Sequence, residues 1–497
     1  MLIPFGPFEP DQPVIGQTTA SVATNVIPLT DKSYGPFPSL SASTAALGAR
    51  CQGAFMCRAN DGTVHAFAGD AYNLYKLSGT TWTKVSKTDD VYTTPSDGYW
   101  WFAQIGDRIF ATNYSDAIQT YVLNSSTDFA DLSASAPKAK FMAVIKGALV
   151  VAGTNDGTDG EVQNRVWWPS LTDPTSWPTP GSAAAAAAQS DYQDIAPGGA
   201  IFGILPAVGG NDGAVWLADA IHRMNFSPGV IFDFQPAETG IGTTVPGSLI
   251  KLGSLAGYIS ENGFQIWNGA STNIGHLKVN EYFWDNVDET KLNLVRTARH
   301  PKKNVVFWSW ASSSATTNCD RILAYNVGTG WWSYIEATAE LILSGFTAGY
   351  DLDTDAPYTD DADLDSTAPG LDSTAFMGGR VLMAGFDSSH QFGYFTGDNL
   401  AATLETGEFL EDNGGRVFVG GIKPIVTGAA TLTAAVGYRD DLDDSVSYST
   451  ATSPASDRFC PQRVDTPYAR ARVTVAAAQT WEHAKGIIPR MSVSGQR

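Results

Sequence analysis

RHPKKNVVFWSWASSSATTNCDRILAYNVGTGWWSYI, residues Arg299 to Ile335, holds three short runs of β-branched and aromatic side chains separated by turn chemistry. The runs are Asn304 to Trp310, Arg321 to Val327 and Trp331 to Ile335. His300-Pro301-Lys302-Lys303 leads into the first, a Ser/Thr/Asn-rich loop separates it from the second, and Gly328-Thr329-Gly330 joins the second to the third. That spacing predicts an antiparallel meander. One such sheet cannot bury both apolar faces, so it calls for neighbours of its own kind stacked against it.

The same rhythm recurs along the chain at intervals of about 40 to 50 residues, the length of a four-stranded propeller blade. Residues 50–57, 63–69, 73–77 and 81–85 form one predicted unit. A second begins at Tyr99 and turns at Gly106-Asp107-Arg108, and a third begins at Phe141 and turns at Lys146-Gly147. Further units fall at Ile201 to Met224, Leu249 to Trp267, Val305 to Ile335 and Val381 to Phe395. The expected fold is therefore all-β, a β-propeller of about six to eight blades, because closing the row into a ring removes exposed edges.

Residues 1–45 read as an extended arm. They carry Pro4, Pro7, Pro10, Pro13, Pro28, Pro36 and Pro38, show little periodicity, and offer Phe5, Phe8 and Phe37 as anchors. The propeller is expected over 46–398, interrupted by three excursions. Six alanines follow Ser182, too few for a stable isolated helix, so a loop or single helical turn is expected there. Apolar residues recur with helical period from Val279 to Val295, predicting one or two short helices. Residues 351–372 form a long acidic loop. Beyond about 398 the rhythm changes, and strands at 402–406, 416–419, 421–426, 432–438, 468–475 and 480–482 predict a C-terminal β-sandwich over 399–497.

Composition agrees with this reading. The chain has 497 residues, of which only 16% are charged, and carries 49 Gly, 26 Pro, 14 Trp, 18 Tyr and 24 Phe, a profile of short strands and turns. Its formal charge of −20 repels nucleic acid and anionic membranes, which argues against tight nucleic-acid binding. No apolar run approaches the roughly 18 to 20 residues of a transmembrane helix. The opening MLIPFGPFEPDQP has neither a basic region nor an apolar one, so no secretory signal is expected. Cys51, Cys57, Cys319 and Cys460 lack any CxxC spacing and are expected as free core thiols.

Chemistry-bearing patterns are few. Asp351, Asp353 and Asp355, with Asp360, Asp361, Asp363 and Asp365 following, offer the alternate carboxylates a hard cation takes. They are the candidate metal ligands, but position six of an EF-hand count from Asp351 is Ala356 and position twelve is Ala362, where that loop needs Gly and Glu. A solvated acidic loop is the simpler reading. Asp191 and Asp194 are a candidate carboxylate pair for glycoside chemistry. His65, His222, His276, His300, His390 and His483 are dispersed, and no GxSxG, GxGxxG or GxxxxGK[ST] sits in its working context. No catalytic residues or cofactor are expected. The pairs Trp100-Trp101, Trp167-Trp168 and Trp331-Trp332 fall at similar places in the strand rhythm and are expected to pack blades together.

Several stretches together resemble one family. They are IPFGPFEPDQP at 3–13, NVIP at 25–28, GPFPSL at 35–40, FAGD at 67–70, LYKL at 74–77, FAQIGDR at 102–108 and GYFTGDNL at 393–400. The family is the tail nozzle or tail hub of short-tailed bacteriophages, also called the packaged-DNA stabilisation protein or tail tubular protein B. The similarity runs over nearly the whole chain, and its motifs are structural. The resemblance implies a non-enzymatic virion protein, assembled in the host cytoplasm, that forms a homo-oligomeric, six-membered ring beneath the portal and adaptor. It would extend the DNA channel, help retain packaged DNA, and meet tail fibre, spike or plug proteins. A cysteine-poor chain suits a reducing compartment, and six copies at −20 each would make an acidic tube past which DNA slides without binding. The alternative from another class is a carbohydrate-binding or carbohydrate-active propeller. It requires exposed Trp beside a convergent pair of carboxylates.

Overall fold

Residues Val305–Trp310 read VVFWSW and are buried along their whole length in the computed structural model. They pair antiparallel with Cys319–Asn326, which pairs with Trp332–Ala339, giving the meander expected from the sequence. A fourth strand, Arg296–His300, lies on the inner side, where no strand is expected from the sequence and its last residue, His300, is taken as the start of a turn. Its RTARH sequence offers one apolar residue, Ala298, which is buried between blades six and seven, while Thr297 lines the channel. The structure describes residues 2–13, 18–88, 91–300, 302–346, 381–409, 415–429 and 431–495.

Five further four-stranded meanders span residues 54–84, 101–131, 138–194, 201–239 and 250–273. The last blade takes three strands, Leu341–Phe346, Val381–Phe386 and Gln391–Asn399, from the end of the ring and its fourth, Pro38–Ala46, from near the N-terminus. Counting the meander at 296–339, the described residues form seven such units. Each neighbouring pair shares an apolar core. Phe67 and Ile109 meet between blades one and two, and Phe110 and Leu149 between two and three. Val150 and Val215 join blades three and four, and Trp216 and Tyr258 join four and five. Phe264 and Trp308 join five and six, Phe307 and Ile342 six and seven, and Ala68 and Phe386 close seven onto one.

The tandem tryptophans follow from strand geometry. Successive side chains on a strand point to opposite faces, so Trp167 packs toward blade two and Trp168 toward blade four. Trp100 is buried between blades one and two, whereas Trp101 is half-buried at the ring axis. The alanine run forms the helix Ala183–Ala188, with Ser182 Oγ accepting from the Ala185 N–H at its start. The helical period at 279–295 resolves into the helix Asn280–Asn286 and a 3-10 segment, Glu289–Leu294.

The first 46 residues are not one extended arm. Ile3–Pro4, Val22–Thr24, Val26–Thr30, Ser33–Pro36 and Pro38–Ala46 are five short strands, and the prolines within them masked their pattern. Three of them add to one sheet of a C-terminal sandwich, beside Thr480–Gly495, Arg416–Ala429 and Cys460–Thr466. Val22–Thr24 sits between Ala402–Glu405 of the second sheet and Trp332–Ala339 of blade six, so one nine-stranded sheet runs through both parts. Phe5 and Phe8 are buried in the core shared by blades five and six and the sandwich, and Phe37 packs on Phe307 and Phe395. Tyr34, fully buried, donates its hydroxyl to Gly6 O at 2.9 Å. The runs read as separate strands at 416–419 and 421–426 are one strand, bulged between Val419 and Gly421.

A buried ion network holds the seam. Glu405, with no exposed surface, accepts from Arg472 Nε, from the Tyr448 hydroxyl at 2.9 Å and from Ser21 Oγ at 3.2 Å. Arg470 links it at 3.5 Å to Glu408 at 3.3 Å, and Arg439 closes the chain on Glu408 at 2.7 Å. Glu405→Ala takes from Arg472 its carboxylate partner among the described residues and leaves Arg470 with Glu408 alone, and is expected to cost about 1–3 kcal/mol in chemical denaturation. Gly393→Val would place a Cβ 2.0 Å from Ser41 O, where the closing strand pairs. That variant is expected to release residues 38–46, read as early cleavage of the N-terminal segment in limited proteolysis.

Candidate functional site

The innermost strand of each blade faces the ring axis, and what it places there decides what the channel can hold. Gly53 to Phe55, Tyr99 to Phe102, Gly247, Leu249, Arg296, Thr297 and Leu341 to Leu343 converge at one end of the channel around a cavity of about 230 Å³. These are residues at or just before the starts of the inner strands of blades one, two, five, six and seven. A second cavity of about 390 Å³ shares Phe55, Trp101, Phe102 and Leu249 and extends along Phe141 to Val144 and Gly203 to Pro206. Phe55 stacks on Phe102 at 5.8 Å and Trp101 sets its face against Phe141 at 5.3 Å. Phe55, Trp101 and Phe102 remain half-buried, so the channel is apolar but reached by solvent.

One cation stands in this apolar lining. Arg296 is 8% exposed, and its guanidinium carbon lies 3.1 Å from the centre of the Tyr99 ring. Its Nη1 donates to Asn293 O at 2.9 Å and to Val295 O. Among the described residues no carboxylate pairs with it, and its Nε and Nη2 make no hydrogen bond. Burial lowers its pKa from the ordinary arginine value, with the Tyr99, Cys319 and Cys51 groups opposing and Arg50 adding to the effect. Arg50 lies near the same ring, donating to the Tyr99 hydroxyl at 3.2 Å and to Ser96 O at 2.6 Å.

Close by, Glu340, in the link from blade six to blade seven, ties blade seven to the segment that enters blade one. Its Oε2 accepts from Cys51 N at 3.0 Å and its Oε1 lies 2.6 Å from His390 Nδ1. Burial raises the Glu340 pKa, opposed by the Cys51 N–H and by His390. The structure places the other sequence-derived candidates elsewhere. Asp351, Asp353 and Asp355, with the acidic loop 351–372, lie outside the described residues. Asp191 and Asp194 share the outer strand of blade three, but three positions apart they take opposite faces. Asp194 forms a two-point pair with Arg165 at 2.6 and 3.0 Å, so the two carboxylates do not converge. All four cysteines are buried and free, with burial pushing Cys57 up to about 12 and Cys319 and Cys460 to about 11. Among the described residues no three His, Cys, Asp or Glu side chains are grouped to hold a metal, and no helix is long and apolar enough to cross a membrane.

Arg50, Tyr99, Arg296, Glu340 and His390 were not singled out by sequence reasoning. They are spread over 341 positions and meet only because the ring closes. No local pattern in the sequence marks them.

No family model matches the chain, and no curated protein matches it. Among solved structures, the extracellular domain of a hybrid two component system from B. thetaiotaomicron is 10% identical with a TM-score of 0.31, covering 55% of this chain and 39% of that one. YCF48 bound to D1 peptide is 11% identical with a TM-score of 0.35, covering 62% of this chain and 86% of that one. Hsv2 of Kluyvelomyces marxianus is 10% identical with a TM-score of 0.30, covering 64% and 97%. None of these likenesses bears on activity or partners.

Gly247 is the backbone contact that seats the buried arginine. A Cβ there would lie 1.9 Å from Val295 O and 2.0 Å from Arg296 Nη1. Gly247→Ala is therefore expected to destabilise the protein by about 1–3 kcal/mol, measured as a lowered denaturation midpoint with an unchanged slope.

Proposed function

We propose that this chain is a structural phage tail protein, a ring-forming nozzle or hub that extends the DNA channel below the portal and adaptor and helps retain packaged DNA. The observation that carries the reading is where the resembling motifs go: they are spent on architecture. Phe5 and Phe8 of IPFGPFEPDQP fill the core between propeller and sandwich. GYFTGDNL begins in the strand that receives the closing strand, and GPFPSL leads into that closing strand. In FAGD, Asp70 caps its turn by accepting from the N–H groups of Tyr72 and Asn73 and from the Tyr75 hydroxyl. FAQIGDR is an inner-strand hairpin.

Two physical features support it. A net charge of −20 per copy makes a wall that repels phosphate, which favours sliding over binding. The axial cavities of one propeller, about 230 and 390 Å³ and lined by aromatic rings, have no room for a duplex, so the DNA path would run between copies. For the glycan alternative, none of the exposed large apolar side chains among the described residues is a tryptophan, and the Asp191 and Asp194 carboxylates diverge. The partners of the nozzle would be further copies of itself, the adaptor ring above, and fibre, spike or plug proteins.

The test is the mass of the purified protein, alone and mixed with its adaptor–portal complex, followed by negative-stain imaging. A ring of about six copies, formed alone or on the adaptor, is expected. A monomer that ignores the adaptor and is retained on a glycan column would overturn the proposal.

A further inference from the structure

We propose that the cavity at the mouth of the propeller channel is a binding site for a small amphipathic monocarboxylate, its carboxylate held by Arg296 and its apolar body laid along the channel aromatics. This inference does not depend on the nozzle reading. It starts from an imbalance of charge: a guanidinium 8% exposed has no carboxylate partner among the described residues. Buried cations are ordinarily paired because desolvation is costly. Stacking on Tyr99 at 3.1 Å and two backbone carbonyls at Nη1 compensate only part of that cost. The Nε and Nη2 edge is left with two parallel donors, the geometry that a carboxylate accepts with both oxygens.

The surroundings set the rest of the ligand. Arg50 adds positive potential, yet its Nη1 and Nη2 are already committed to Tyr99 and Ser96. Glu340, on the Cys51 N–H, offsets the charge of Arg50, so the local excess is close to one, which suits a monoanion better than a hydrated phosphate dianion. Beyond Arg296 the walls are Ala54, Phe55, Trp101, Leu249 and Leu343, and the second cavity of about 390 Å³ continues past Phe55 and Leu249. Together they reach the size of ordinary small-molecule sites, which are mostly apolar with a few placed polar groups.

Octanoate is the probe, with 1-octanol and inorganic phosphate as controls, titrated into the full-length protein by calorimetry and followed by tryptophan fluorescence. Saturable one-to-one octanoate binding is expected, at least tenfold tighter than 1-octanol and not displaced by phosphate at equal concentration. Arg296→Gln should weaken octanoate at least tenfold and bring its affinity down to that of 1-octanol. Leu249→Phe, which keeps the guanidinium and fills the space shared by the two cavities, should also weaken octanoate at least tenfold. It decides the matter if Arg296→Gln fails to fold. Absence of saturable binding to the wild type, displacement by phosphate, or undiminished binding to Leu249→Phe would overturn the proposal.

Discussion

The pairing of Pro38–Ala46 with Gln391–Asn399 is the constraint on which the molecule depends. Without it, blade seven would be a three-stranded sheet with an open edge, and the core it shares with blade one would lack a wall. A β-sheet edge is a template for unwanted pairing, and a ring removes it only if the two ends find each other. Here they are separated by about 350 residues. Closure entropy rises slowly with loop length, so the thermodynamic cost is modest, while folding through such distant contacts is slow. Glycine makes the close approach possible. Gly393 lies against the Ser41 backbone, and Gly397 against Ser39, with no room for a side chain at either place.

The same N-terminal segment that closes the ring also joins it to the sandwich. Val22–Thr24 hydrogen-bonds to blade six on one side and to Ala402–Glu405 on the other, so the ladder passes from propeller to sandwich without a break. Beneath that ladder, Ser21 reaches the fully buried Glu405, which already holds Arg470 and Arg472. A buried network of this kind contributes little net stability over an apolar core, but it penalises any register that leaves a member unpaired. Register is what a strand with only three residues lacks on its own. The network and the strand therefore need one another.

How much of this was legible in the sequence follows from where each residue spends its side chain. The outer and middle strands of the blades pack on neighbours, so their β-branched and aromatic runs were visible, as at Val305–Trp310 and in the tandem tryptophans. The inner strand of blade six, Arg296–His300, is the exception: RTARH offers one apolar residue, Ala298, so nothing in it marked a strand. Four of the five N-terminal strands carry proline, and apart from the local pair Val26–Thr30 and Ser33–Pro36 their partners lie hundreds of residues away, so no local periodicity announces them. The channel site was hidden for the same reason as the closure. Arg50, Tyr99, Arg296 and Glu340 acquire a common environment only in three dimensions, and none has a neighbour in sequence that marks it.

An acidic chain with an apolar axis separates two kinds of surface. The charge of −20 keeps phosphate off the outside, where long-range repulsion acts through water. Inside the propeller the relevant scale is a few ångströms, and there the sign reverses: among the described residues the one charge in the cavity lining is the Arg296 guanidinium, pressed on Tyr99. On the two proposals above, a long polyanion would meet the first surface and be too wide for the second, whereas a small anion with an apolar body would carry little charge to be repelled and would lie where the rings are. The two proposals are therefore compatible, because repulsion by net charge acts over about a Debye length while the channel would select over a few ångströms.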